Sequence, residues 1–118
     1  MRQPCSSKPE EQRIGFEEAL KALPATGGQR FAEIFSHGSL AVEIYAPEKI
    51  DPQQPHTRDE IYVVARGTGE YLNDGVRVHV KPGDFLFAPA FVEHRFENFS
   101  DDFVVWVFFY GPEGGEPD

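Results

Sequence analysis

The chain is poor in the residues that would announce several common kinds of protein. One cysteine, Cys5, stands among 118 residues, in a polar N-terminal segment. A lone cysteine closes no internal disulfide, so nothing here calls for an oxidising compartment. Nothing around Cys5 marks it as an activated nucleophile, and it reads as a bystander thiol. Basic residues are scarce, 11 against 20 acidic, for a net charge of −9. Such a surface repels phosphate backbones and anionic lipid, and no basic cluster compensates, which excludes nucleic acid and membrane as partners. No apolar run approaches the ~20 residues of a membrane-spanning helix. A basic-then-apolar leader is also missing, so the expected location is cytoplasmic. No internal repeat is visible.

What is present points to a folded domain. Hydrophobic residues make up 40% and aromatics 14%, with eleven phenylalanines, which suits an aromatic-rich core rather than disorder. The length fits one domain with its own core. Three parts are expected: an arm with a short helix over residues 1–26, a β domain over 27–111, and a flexible acidic tail over 112–118. Within the first, Phe16 to Leu23 (FEEALKAL) places apolar residues at 16, 19, 20 and 23, a helical spacing that Pro24 ends.

From Gly27 the pattern changes to short β-type runs between turns. Strands are expected at 30–35, 40–45, 60–66, 70–72, 76–80, 85–88, 94–98 and 103–110. Asn73-Asp74-Gly75 has the chemistry of a tight hairpin, and Pro82-Gly83 that of a type II turn. Short strands at this spacing indicate an all-β antiparallel sandwich or barrel. The run Phe103 to Tyr110 (FVVWVFFY) is apolar on both faces, as a central strand would be; an edge buried in a homodimer would read the same way.

The chemistry gathers in two segments. His56 and Glu60 lie four apart and run into the strand beginning at Glu60. In an extended strand they would sit ~13 Å apart, too far for one ion, so the chain has to bend between them. Such a pair alone is common and usually solvated. Its surroundings carry more: six residues separate Glu60 from Gly67, five separate Gly83 from Pro89, and His94 is followed by three residues and then Asn98.

In that order these residues resemble the two motifs of the cupin family. The first runs His-x-His, three or four residues, Glu, six residues, Gly. The second runs Gly, five residues, Pro-x-Gly, two residues, His, three residues, Asn. The resemblance covers roughly residues 34–110 and implies an antiparallel double-stranded β-helix, or jelly-roll β-barrel, with a short N-terminal helix. It implies His56, Glu60 and His94 as ligands of one divalent transition metal (Fe, Mn, Ni or Zn). Two imidazoles and one carboxylate leave positions open on such an ion. Two departures stand out. Gln54 occupies the place of the family's first histidine and is a candidate weak ligand through its amide oxygen. Phe91 occupies the place of the glycine after Pro89, a change expected to be absorbed by a loop adjustment.

Alternation along the strands makes Tyr62, Phe96 and Asn98 expected pocket residues, with Phe85 and Phe87 sharing a face that would add to the lining. Tyr62 is the one guess at a catalytic residue. Arg58 and Asp59 read as a surface ion pair, and His37 and His79 match no ligand position. The resemblance then implies a metal-dependent enzyme, dioxygenase-, isomerase- or lyase-like, acting on a small oxygen-rich or carboxylate substrate. The alternative is a binding module for a sugar or organic acid without turnover. A small-molecule ligand and a homodimer are the expected partners.

Overall fold

The computed structural model describes residues 13–52 and 54–117. Eight strands are present among them: β1 (Phe31–His37), β2 (Leu40–Tyr45), β3 (Asp59–Arg66), β4 (Gly69–Asn73), β5 (Val76–Val80), β6 (Phe85–Ala88), β7 (His94–Glu97) and β8 (Val104–Tyr110). They form a five-stranded sheet in the order β1-β2-β8-β3-β6 and a three-stranded sheet in the order β5-β4-β7. Every pairing between them is antiparallel. This is the expected jelly-roll.

Turn chemistry sets the connections. Asp74 (φ 50°) and Gly75 (φ 83°) form a two-residue hairpin between Asn73 and Val76, which face each other across the β4–β5 pair. Gly83 takes φ 93° in a turn closed by the Asp84 N–H donating to the Lys81 carbonyl. At Gly67 two demands coincide. Its φ is 80°, and a Cβ there would lie 2.5 Å from Ser100 Oγ and 2.8 Å from Phe103 Cα. Only glycine meets both.

The main core lies between the two sheets. Tyr45, Tyr62, Tyr71, Phe96 and Phe103 meet there with Val64, Val80, Val105 and Val107. A second core lies on the outer face of the larger sheet. It joins Ile44, Ala46 and Val104 to Ala19 of the helix α1 (Phe16–Leu20). Strand β8 separates the two, with Val105 and Val107 in the inner core and Val104 in the outer one. Its apolarity on both faces therefore reflects a central strand covered on both sides. The helix is shorter than the expected Phe16–Leu23: Lys21 caps it, and the Ala22 and Leu23 N–H groups donate three residues back, to the Ala19 and Leu20 carbonyls, instead of four.

Residues of the tail make backbone hydrogen bonds to the segment that enters β3. The Gly114 N–H donates to the Thr57 carbonyl at 2.7 Å and the Glu116 N–H to Asp59 Oδ2 at 2.8 Å. Asp59 is buried and does not pair with Arg58. Its Oδ1 accepts from the Ala90 N–H at 3.0 Å, while Arg58 donates to the carbonyls of Gly111 and Ser39.

Candidate metal centre

Glu60 is the second residue of β3, and strand alternation turns it inward with Tyr62 and Val64. His94 opens β7 on the facing sheet. His56 precedes β3 in a bent, irregular segment, which supplies the bend that its distance from Glu60 requires. That segment is anchored to the second motif, because the Phe91 N–H donates to the His56 carbonyl at 2.7 Å.

The three side chains converge. His94 Nε2 lies 2.9 Å from Glu60 Oε1, and His56 Nε2 lies 3.8 Å from the same oxygen. One ligand atom from each residue falls within 4.8 Å of the others. Glu60 is 1% exposed and His94 2%. Both atoms are buried, and among the described residues neither makes a well-aligned hydrogen bond, so their contact is with each other. His94 Nδ1 lies 2.9 Å from the Val92 carbonyl. Donation there fixes the tautomer, so that in the neutral ring the Nε2 lone pair faces a carboxylate oxygen. Two electron-rich atoms at that distance call for a cation or a proton between them. Burial alone would lower the His94 pKa. The Glu60 carboxylate, the Val92 carbonyl and the charge of Asp51 outweigh it and hold the pKa above the ordinary value. The donor set fits a transition metal: two atoms bound to one ion at ~2.1 Å and at right angles are ~3 Å apart.

The other expected site residues divide. Tyr62 and Phe96 pack against each other edge to face, with ring centroids 4.9 Å apart, and Tyr62 lies 5.9 Å from the His94 ring. Both are fully buried, so they back the ligands rather than line an open pocket. Phe85 and Phe87 do not join the lining. They are 64% and 42% exposed, because β6 pairs with β3 in a register that turns Leu86 and Ala88 inward with Tyr62 and Glu60. Gln54 is exposed and is not among the residues that line the cavity. Asn98 sits at φ 50° just beyond β7 and donates to Glu70 Oε1 at 2.7 Å, on the outside of the small sheet. Phe91 itself adopts φ 69°, in the left-handed region that glycine favours.

A cavity of about 740 Å³ opens onto His56 and Glu60. That is the usual size of a small-molecule site. Phe31, Pro47, Ile50, Val107 and Phe109 supply its apolar wall, and Arg30, Glu43, Tyr45 and Glu48 its polar groups. His56 is held edge to face against Phe109, centroids 5.0 Å apart.

Two acids here escape a reading of the sequence. Asp51 is buried, accepts from the Tyr45 hydroxyl through Oδ1, and accepts from the Phe96 N–H at 2.8 Å through Oδ2. Burial, then the hydrogen bond to Asp51, raise the Tyr45 pKa and keep the phenol protonated. Glu43 lies in β2, and burial, then the charges of Glu60 and Glu33, push its carboxyl up to about 7. Alternation in LAVEIY puts Glu43 on one face with Ala41 and Tyr45, a signal that an acid had been turned inward.

Comparison with known proteins agrees with this geometry. A family model described as the cupin domain matches residues 41–110. The uncharacterized protein SCO3923 of Streptomyces coelicolor is 30% identical over 98 residues, 81% of this chain and 93% of that one. A gentisate 1,2-dioxygenase from a Streptomyces species is 28% identical over 68 residues, 57% of this chain but 19% of the enzyme. Among solved structures, that of the DMSP lyases RdDddP and RnDddQII superposes with a TM-score of 0.62 at 21% identity, covering 73% of this chain and 50% of that one. At that identity the likeness speaks for the fold alone.

Proposed function

The chain belongs to the cupin family, and from that premise we propose that it is a metal-dependent enzyme acting on a small oxygen-rich or carboxylate substrate. His56, Glu60 and His94 would hold one divalent ion, Fe, Mn, Ni or Zn. Bound there, the ion would polarise a substrate oxygen and leave coordination positions open toward the cavity. The observation that carries the reading is the buried pair of atoms, Glu60 Oε1 and His94 Nε2, 2.9 Å apart with no partner. Burying two such atoms this close is stable only with a cation or a proton between them, and His56 at the same oxygen supplies the third donor that a metal ion uses.

The chain's own residues would divide the remaining work. Glu60 offsets the ion's charge, and the Val92 carbonyl holds His94 in the tautomer that presents Nε2. Phe109 steadies His56, and the apolar wall keeps bulk water from the bound substrate. Arg30 at the cavity wall offers an anionic group a counter-charge. The dioxygenase, isomerase and lyase branches stay within this proposal, and the name of the gentisate relative supports the first of them. Exposed Phe85 and Phe87 on the edge strand β6 support a homodimer.

Elemental analysis of protein prepared without chelator tests the reading. About one transition metal per chain is expected, and His94→Ala should lose it while keeping the fold. Less than a tenth of an equivalent, even after reconstitution with Fe(II), Mn(II), Ni(II) and Zn(II), would overturn the proposal in favour of a metal-free binding module. Metal retained by the His94→Ala protein would overturn the ligand assignment.

A further inference from the structure

We propose that Glu43 is the proton-transfer residue of this cavity, removing a proton from a carbon next to a substrate carbonyl whose oxygen lies at the His56–Glu60–His94 end. The assignment rests on the metal-enzyme reading above and narrows it to a substrate class: small carbonyl acids and hydroxy-carbonyl compounds with an acidic C–H bond.

Placement is the first argument. In the sheet order β2-β8-β3, Glu43 pairs with Val107, Val107 with Tyr62, and Glu60 with Phe109. Two strand spacings and a two-residue offset along the strand separate the backbones at Glu43 and Glu60, about 12 Å. Both residues line the cavity, with Val107 and Phe109 as the wall between them. A substrate of a few carbon atoms can therefore span from the ligand end to the Glu43 carboxyl.

The second argument is what Glu43 lacks. Among the described residues, no hydrogen bond or ion pair engages its carboxyl. Asp51 and Asp59, the other inward acids outside the ligand set, each accept backbone or hydroxyl hydrogen bonds and serve as struts. A half-buried acid with no structural partner has its proton chemistry available. The charged groups around it are Glu33, its cross-strand partner on β1, Glu60 on β3, and Arg30, Glu48 and His56 around the cavity. Burial and the two nearest carboxylates hold it near neutrality, which gives it both protonation states at working pH.

The step balances without an oxidant or reductant. The C–H bond breaks and its proton goes to the Glu43 carboxylate. The bonding pair becomes the C=C bond of an enolate, with the negative charge on the former carbonyl oxygen. Where the carbon that lost its proton bears a hydroxyl, the hydroxyl proton passes to the former carbonyl oxygen, and return of the Glu43 proton to the former carbonyl carbon gives the isomer. Loss of a β leaving group from the enolate gives elimination instead.

The test uses the Zn(II)-loaded full chain in D₂O, with pyruvate and dihydroxyacetone as probes and C–H exchange followed by ¹H NMR. The wild type should exchange at least one probe. E43Q should be at least a hundredfold slower at unchanged zinc content, and E43D should recover part of the rate. Independently of turnover, in the metal-free protein a ¹³C-labelled glutamate carboxyl titrating near pH 7 should vanish in E43Q. Exchange by E43Q at the wild-type rate, exchange of neither probe by loaded wild type, or an ordinary titration for Glu43 would overturn the assignment. Wild type that takes up no zinc defeats the metal reading itself, an outcome distinct from these. If E43Q does not fold, E43A takes its place against the same hundredfold threshold.

Discussion

Glu43 occupies its place against its own electrostatics. Unfolded, its carboxyl ionises near the ordinary value of 4.5; folded, burial and then the charges of Glu60 and Glu33 raise this to about 7. Between those values the native state holds a proton that the unfolded chain has lost, so stability falls as pH rises through that window. Above it, the folded protein carries an unpaired carboxylate facing Glu60 and Glu33. E43Q removes the charge at nearly constant shape. It should be more stable than wild type at pH 8 by about 1–2 kcal/mol, after discounting for the solvent that reaches the group, and nearly equal at pH 4. Urea unfolding at the two pH values measures this, and a variant less stable at pH 8 would show that the acid has a structural partner. Phe91 is a second residue held against preference. At φ 69° a side chain costs ~1–2 kcal/mol, against ~0.5–1 kcal/mol for the entropy glycine adds to the unfolded chain. The ring is 62% exposed and contributes little packing. Phe91→Gly should therefore raise stability by roughly 0.5 kcal/mol, with metal content unchanged.

At the scale of elements, the segment after β2 is held by Asp51, which clamps Tyr45 of β2 to the backbone of β7 two residues from His94. Asp51→Ala leaves a buried hydroxyl and a buried N–H unsatisfied, and should cost about 3 kcal/mol. Hydrogen exchange at the Phe96 amide should quicken with it; unchanged protection would mean that β7 is held by its pairing with β4 alone. Elements are also where the sequence was most legible. Alternation and turn residues locate all eight strands to within about two residues, because Asp74-Gly75 and Pro82-Gly83 can do little but turn. The inward direction of Glu60, Tyr62 and Val64 was legible once Glu60 was taken as a ligand. The faces of FLFA were not: Phe85, Leu86 and Phe87 are all large and apolar, and only pairing with β3 turns Leu86 in and both phenylalanines out. Glu43 was hidden for a related reason, since the face of β2 that meets the cavity is set by β8, more than sixty residues away. Asp51 sits in a proline-rich turn, where an acid ordinarily meets water, and its backbone partner, Phe96, is distant in the chain.

On the scale of the whole molecule, the ligands come from separate parts of the jelly-roll. Glu60 stands on the five-stranded sheet, His94 on the three-stranded sheet, and His56 on the segment that enters β3. That entry is itself tied to the C-terminal residues through Thr57 and Asp59. An ion at this point would join both sheets across the core, a connection the unfolded chain cannot make. Binding that favours the native state alone adds RT ln(1 + [L]/Kd), about 2.7 kcal/mol at a hundredfold excess over Kd. For a domain of this size that corresponds to a rise of roughly 10 °C in melting temperature. Thermal unfolding with Ni(II) or Mn(II), and again after EDTA, should show the rise and its reversal. His94→Ala should abolish the response, because it removes the small sheet's only ligand among the described residues. An equal rise in that variant would place the ion elsewhere on this acidic surface, and the orphaned Glu60 and His94 atoms would then share a proton instead of a metal.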